Sequence, residues 1–324
     1  YLAFLDPPKE STKEAIQALN DHAVDVKIMT GDNELVTISV ANQVGIPTDN
    51  VISGDQLINK TDEELSKIVE EYNLFVKLNP TQKSKLVGIL RENGHVVGFL
   101  GDGINDSPAL RAADVGISVD NAVDIAKESA DIILLEKDLM ILEKGILAGR
   151  KIFGNTMKYI KATTSSNFGN VFSVLIASIF LPFLPMLPIQ LLFLGLIYEI
   201  SSMSIPWDNM DKEYLYTPKK WEAAGIQKFM IWFGPTSSIF DVTTFLIMFL
   251  FVAPNLAGGS YQSLGAEQQE VFVSIFQSGW FIVSLWTQTL VLYTLRTPKI
   301  PFVESYPSFI MTTITTLGII IGSV

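Results

Sequence analysis

The 324 residues predict an α/β domain built on a parallel sheet, followed by an α-helical polytopic membrane domain. Short apolar runs alternate with amphipathic segments from Asp25 to Leu135, and long apolar spans follow Lys161. Charge divides the chain at the same place: residues 1–161 hold 17 of the 23 Lys and Arg and 25 of the 34 Asp and Glu. A hydrophobic content of 48% is too high for two soluble domains, so part of the chain belongs in lipid.

Residues 1–150 are expected to form the C-terminal part of a soluble domain, and residues 151–324 the membrane domain. Tyr1 to Leu5 reads as the end of a strand, and the last apolar run is cut at Val324, so a longer protein is expected on both sides. Strands are expected at 26–29, 74–78, 96–100, 115–119 and 132–135, with helical patterns at 63–72 and 82–92 between them. This alternation is that of βαβ units, whose chemistry collects in the loops after the carboxyl ends of the strands. A basic helical stretch, Glu143 to Lys161, leads into the first apolar span and would give the soluble domain a stiff path into the bilayer.

Five spans are expected, at 163–182, 188–206, 229–253, 271–295 and 307–324, each near the ~20 residues a bilayer needs. Beyond Lys161, every Lys and Arg falls before the third span (Lys212, Lys219, Lys220, Lys228) or before the fifth (Arg296, Lys299). The alternate connections, Pro182 to Pro188 and Pro254 to Glu270, carry none. The positive-inside rule therefore makes the soluble half and the two basic loops cytoplasmic, in a multi-pass protein of the cell (plasma or inner) membrane. Membrane lipid is one partner; nucleic acid is not, because a net charge of -11 without a basic run cannot hold a phosphate backbone. The absence of Cys excludes disulfides and thiolate chemistry, and His22 and His95 are too few for a histidine-rich metal site.

The strongest local signal is Gly101-Asp102-Gly103-Ile104-Asn105-Asp106-Ser107-Pro108-Ala109-Leu110, directly after the strand ending at Leu100. The glycines allow a sharp turn, and Asp102, Asn105 and Asp106 set hard oxygens where a helix begins, which suits Mg2+. Thr30-Gly31-Asp32 follows the strand at 26–29 and offers a hydroxyl, free N–H groups and close backbone approach, a phosphate cradle. Lys83, at the start of the helix after the strand at 74–78, can neutralise a phosphoryl group as a point charge. Asp6-Pro7-Pro8, followed by Lys9, is a stiff turn that could act as a hinge.

These elements, in this order and followed by several spans, resemble the P-type ATPases, cation pumps whose Rossmann-like phosphorylation domain belongs to the haloacid dehalogenase superfamily. The resemblance covers the whole chain. It implies that Thr30 and Gly31 hold the phosphoryl oxygens, with Asp32 beside them among the catalytic residues, that Lys83 pairs with the phosphoryl group, and that Asp102 ligates the catalytic Mg2+ in a site completed by Asn105 and Asp106. ATP would be the substrate, bound mainly by an upstream domain. The family's nucleophile lies in an Asp-Lys-Thr-Gly-Thr motif that does not occur here, so this portion alone should form no phosphoenzyme. Lys9 also stands where the family usually has Arg.

Ionisable residues inside spans are costly and are functional by default. Glu199 lies in the second span and Asp241 in the third, while Asn167 and Asn170 are three apart in the first, hence on one helical face. Together they could present oxygens to a hard cation, with Pro206 freeing carbonyls nearby. Heavy-metal pumps of the family carry only two spans after the phosphorylation domain. Calcium and sodium-potassium pumps show patterns absent here, whereas Asn167 to Asn170, Glu199 and Ile205-Pro206-Trp207-Asp208 look like the bacterial magnesium-transporting branch. Glu199 stands where close members carry aspartate, a shift of about one bond length that a Mg2+ retaining its water would tolerate. Transported Mg2+ is thus favoured. The alternatives are a pump for another hard cation (Ca2+, H+ or a monovalent ion), a membrane-tethered haloacid-dehalogenase phosphatase, and a split regulatory module.

Overall fold

The computed structural model describes residues 11–136, 138–220 and 223–324. The chain divides into two compact units, residues 1–148 and 149–324. The turn Asp6-Pro7-Pro8 lies outside the described residues.

The first unit runs α1 (Thr12–Asp21), β1 (Ile28–Met29), α2 (Glu34–Val44), β2 (Val51–Ser53), α3 (Gly54–Leu57), α4 (Asp62–Glu71), β3 (Leu74–Val76), α5 (Pro80–Glu92), β4 (Gly98–Leu100), α6 (Ser107–Ala112), β5 (Val115–Val119), α7 (Asp124–Ser129) and β6 (Ile132–Leu134). All strand pairs are parallel, in two three-stranded sheets ordered β1-β3-β2 and β4-β5-β6. The expected parallel α/β pattern is present, but as two sheets. β1 and β4 each lie at an edge, and these two strands lead into Thr30 and Gly101.

Local sequence chemistry sets the helix starts. At α5, Asn79 accepts from the Gln82 N–H at 2.8 Å, Gln82 returns a bond to the Asn79 N–H at 3.0 Å, and Pro80 gives up an N–H that a first helical turn leaves idle. Thr61 and Glu64 form the same reciprocal box at α4. α2 ends at Gly45, whose φ of 83° is the left-handed conformation that halts a helix. Between the helices and the first sheet lies an apolar core centred on Phe75, with Leu57, Leu65, Val69, Leu86 and Ile89 against it. This core fixes α5, and with it Lys83, against the ends of the strands.

The second unit contains the rest of α8 (Met140–Phe180), then α9 (Pro188–Ser202), α10 (Lys212–Tyr216), α11 (Ala223–Ile247), α12 (Ala253–Ala257), α13 (Ala266–Leu295) and α14 (Phe309–Ser323). One π-helical turn, Met248–Val252, joins α11 to α12 just before Pro254, whose ring cannot supply the regular helical N–H. Pro188–Trp207, Ala224–Ser263 and Ala266–Leu295 are long and apolar enough to cross a membrane, and α14 is a shorter apolar helix. The chain is therefore a multi-pass membrane protein. The segment expected as the first span, 163–182, falls in the second half of α8, where Asn167, Asn170 and the run Thr163-Thr164-Ser165-Ser166 dilute the hydropathy. Aromatic edges lock the bundle: Phe245 meets Trp280 edge-on at 4.4 Å between ring centroids, and Phe276 packs beside them.

Candidate functional site

At the end of β1 the chain is laced to β3 through backbone bonds. The Thr30 N–H donates to the Phe75 carbonyl, the Leu78 N–H to the Thr30 carbonyl and the Lys77 N–H to the Asp32 carbonyl, each at 2.9 Å. Lys77 takes a left-handed φ of 51° to make this turn. The Thr30 hydroxyl donates to Asp32 Oδ2 at 3.0 Å and accepts the Asp32 N–H at 3.1 Å. Gly31 and Asp32 are exposed, so the cradle expected from Thr30-Gly31-Asp32 is open on its outer face.

The second loop is tighter. Gly101 is required there, because a Cβ on it would lie 2.6 Å from the Cβ and 2.9 Å from the Cγ of Asp106. That close approach brings Asp106 back under the end of β4, where its Oδ2 accepts the Gly103 N–H at 3.3 Å. The Lys83 ammonium, buried on the first turn of α5, donates to Asp106 Oδ1 at 2.7 Å. Ser118 Oγ, fully buried, donates to the Gly101 carbonyl at 2.9 Å and holds the loop from beneath. Asp102 and Asn105 are exposed. The structure thus joins Lys83, Asp106 and the glycine loop directly; Thr30 to Asp32 form a separate hydrogen-bonded turn.

Asp32, Asp102 and Asp106 outnumber the lysine among these residues, so an incoming phosphate needs further positive charge. Among the described residues no three His, Cys, Asp or Glu side chains cluster as a metal cage. The pair Asp102 and Asp106, with the Asn105 amide, is an all-oxygen donor set that fits a hard cation held partly by water and substrate. His95 lies against Glu70 at 2.9 Å and His22 Nδ1 is 2.7 Å from the Ala18 carbonyl, both outside these loops.

In the membrane unit the four expected cation ligands fall at two levels, Asn170 and Asp241 near one another and Glu199, at Tyr159, further along α8. Both asparagines lie on α8 three residues apart, as expected; Asn167 is exposed, and Asn170 Oδ1 accepts from Gln288 Nε2 on α13. Glu199 Oε1 accepts from the Tyr159 hydroxyl at 2.7 Å. Tyr159 and Asn170 are 11 residues apart on α8, roughly 16 Å at about 1.5 Å of rise per residue. Asp241 is buried about one turn from Asn170, accepting from Ser173 Oγ at 2.6 Å, Trp280 Nε1 at 3.0 Å and Ser284 Oγ at 3.3 Å. Sequence reading missed these donors, and also Tyr198 and Ser202, whose hydroxyls are buried without a hydrogen-bond partner. A polar side chain inside an apolar span was the available signal, present at Gln288 and Ser284.

A further site was not foreseen. Asp208, fully buried after α9, accepts from Lys158 Nζ at 2.7 Å, Arg296 Nε at 2.8 Å and the Ser308 N–H at 3.1 Å. Arg296 also donates to the Ser305, Asn209 and Tyr306 carbonyls, and Asn155 Nδ2 to those of Pro206 and Asp208. One carboxylate therefore ties α8 to both basic loops.

Residues 1–114 match the family described as haloacid dehalogenase-like hydrolase, and residues 183–324 the family described as Cation transporting ATPase, C-terminus. The chain is 57% identical over 304 residues to a Magnesium-transporting ATPase, P-type 1, of Salmonella typhimurium, covering 94% of this chain and 32% of that protein. It is 50% identical over 322 residues to the protein of the same name from Escherichia coli, covering 99% and 34%. A Calcium-transporting ATPase of Bacillus subtilis is 30% identical over 215 residues, covering 65% and 24%. The chain spans about a third of the length of the curated magnesium-transporting relatives it matches.

Proposed function

We propose that this chain, which belongs to the P-type cation-transporting ATPases and is most like their bacterial magnesium-transporting branch, works as the C-terminal portion of an ATP-driven pump that carries Mg2+ across the cell membrane. The observation that carries the phosphoryl half is the buried contact of Lys83 with Asp106 beneath the glycine loop. A buried ammonium held by one carboxylate, at the ends of parallel strands, is poised to share its charge with an arriving phosphoryl group.

In this reading an aspartate upstream of Tyr1 attacks the terminal phosphate of ATP. Thr30 and the Gly31 N–H hold the equatorial oxygens of the transferred group, beside Asp32, and Lys83 compensates their charge. Asp102 and Asp106, with Asn105, would hold the catalytic Mg2+, which supplies Lewis-acid neutralisation of phosphoryl charge when bound. Asp6-Pro7-Pro8 serves as the hinge toward the upstream nucleotide-binding domain. The chain crosses the membrane five times, with the soluble unit and both basic loops cytoplasmic.

For the transported Mg2+, Glu199 on α9 and Asn167 and Asn170 on α8 supply oxygens at successive depths. Mg2+ dehydrates reluctantly and would retain water between such spaced ligands. Asp241 on α11 belongs to the same set: its partners Ser173 and Ser284 stand one helical turn from Asn170 and Gln288 on α8 and α13.

The test is Asp102→Ala in the full-length protein, with phosphoenzyme formation from ATP followed against Mg2+ concentration. Loss of the Mg2+-dependent phosphoenzyme is expected; normal formation removes Asp102 from the site. ATPase activity across Mg2+, Ca2+ and monovalent ions in the unmodified protein separates the magnesium reading from that of another hard-cation pump.

A further inference from the structure

The connection from α13 to α14 turns its apolar side chains outward and its polar groups inward, the reverse of an ordinary loop in water. Ile300, Val303 and Tyr306 are 59%, 66% and 65% exposed, and Phe302 is half-exposed, with its ring on Tyr293 at 4.8 Å between centroids. Arg296 and Ser305, between the same helices, are buried. Apolar surface displayed in this way marks a place of contact.

The display is held rigidly. Arg296 donates to the Ser305 carbonyl at 3.1 Å, to Ser305 Oγ at 2.9 Å and to the Tyr306 carbonyl at 3.0 Å. Asn209 Nδ2 donates to the same Tyr306 carbonyl at 3.1 Å, and Asp211 accepts from the Ser305 and Thr297 hydroxyls, each at 2.6 Å. Across the tip, the Phe302 N–H donates to the Ser305 carbonyl at 3.1 Å and the Glu304 N–H to the Ile300 carbonyl at 3.0 Å. Phe302 takes a left-handed φ of 64°, which is costly for a bulky side chain and persists only where neighbouring groups over-determine it. The shape that presents the apolar tip is thus fixed before a partner meets it, which lowers the entropic cost of contact.

The chemistry of the tip selects that partner. Its cation is already paired, Lys299 Nζ with Glu213 at 2.8 Å, and Glu304 Oε2 turns back to accept the Ile300 N–H at 3.0 Å. What remains is aliphatic and aromatic surface with one phenol, the composition that settles between headgroups and acyl chains. This surface is continuous with that of α14, whose first residue, Phe309, is 84% exposed three positions after Tyr306.

We propose that residues 300–306 form an interfacial anchor, an apolar knuckle seated at the boundary of headgroups and acyl chains in the cytoplasmic leaflet, and that the lipid surface itself is its partner, whatever the headgroup charge. Arg296 links the knuckle to Asp208, and Asp208 to Lys158, so the anchor fixes the height of α8 against that leaflet. Assignment to the cytoplasmic leaflet rests on the proposed five-span topology and on no assumption about the ion carried.

Residues 1–324 contain no cysteine, so a spin label can be placed at one chosen position of a full-length protein whose only cysteine is the introduced one. Ile300→Cys, Val303→Cys, Phe309→Cys and Pro218→Cys, the last in the exposed loop after α10, are compared in vesicles of phosphatidylcholine with and without phosphatidylglycerol. The reading is the label's accessibility to molecular oxygen, which concentrates among acyl chains, divided by that to a neutral water-soluble nickel chelate. This ratio should be several-fold higher at positions 300, 303 and 309 than at 218, and equal in the two lipid mixtures. A ratio at 300 and 303 equal to that at 218, while 309 still reads as lipid, overturns the anchor and leaves the topology standing. An aqueous ratio at 309 as well removes the topology and the anchor together. Labels at 300 and 303 shielded from both reagents place a protein surface over the knuckle, and a ratio that rises only with phosphatidylglycerol makes the contact electrostatic; either result overturns the proposal.

Discussion

Replacing Asp208 by alanine leaves two cations facing an empty buried space. The side chains of Asp208, Arg296 and Lys158 are 0%, 2% and 9% exposed, so water cannot enter to replace the lost charge. Removing one partner of such a buried pair costs about 3–5 kcal/mol, and the Ser308 N–H also loses its acceptor. Because these terms share one carboxylate they do not add, and about 3–5 kcal/mol is the expected total. The loss has a pH signature. Burial already holds the Lys158 ammonium below the ordinary lysine range, with Asp208 pulling it back up. A lysine with a lowered folded pKa binds fewer protons folded than unfolded between its two pKa values, so stability rises with pH there. Without Asp208 the lysine falls further and this window widens downward. Unfolding of the purified full-length protein in detergent, followed by the transition of the membrane unit across pH, gives both quantities. The combined replacement Asp208→Leu, Lys158→Met and Arg296→Met should be less damaging than Asp208→Ala alone, since it leaves no orphaned charge. A cost below about 1 kcal/mol for Asp208→Ala, the range of an exposed pair, would refute the reasoning.

Gly101→Ala should displace Asp106, because the added Cβ would meet that side chain at 2.6 Å; the expected result is a folded protein whose phosphoenzyme yield from ATP drops as for Asp102→Ala. Glu64, held down to about 2 by its bond from Lys60 and by the Thr61 N–H, gives a contribution complete above about pH 4.5 that is lost as pH falls through about 2. Glu64→Gln should flatten that acid limb in a titration of helical circular dichroism, by a small amount because the group is exposed. Glu199→Ala should leave phosphorylation by ATP possible while removing its dependence on the transported ion; an ion-dose response equal to that of the unmodified protein would take Glu199 out of the path.

Much of the α/β unit is legible from local pattern. The apolar runs at 74–78 and 115–119 become β3 and β5, and the helical patterns at 63–72 and 82–92 become α4 and α5, because periodicity and capping act within a few residues. β2 was missed: three residues, Val51–Ser53, are too short to display a period, and their pairing with β3 depends on residues more than 20 positions away. The two-sheet order is likewise a matter of long-range registers that no local run encodes.

The candidate sites divide in the same manner. The glycine loop, Thr30-Gly31-Asp32, Lys83 and the intramembrane ionisable groups were visible from composition and position, since each residue type is costly or unusual where it stands. Their partners were not visible. Lys83 reaches an aspartate 23 residues on, Glu199 a tyrosine 40 residues back, and Asp241 collects donors 68, 39 and 43 residues away. Asn167 and Asn170 share a helix and a spacing, yet one is exposed and the other meets Gln288 of α13, a residue 118 positions on. The sequence by itself determined the division between a charged α/β half and an apolar helical half, and which side chains carry chemistry, because burial preference and local backbone geometry belong to short segments. Tertiary structure alone decided which acid meets buried cations, Asp208, and which meets neutral hydroxyl and indole donors, Asp241, because such pairing depends on distances between helices and not on spacing along the chain.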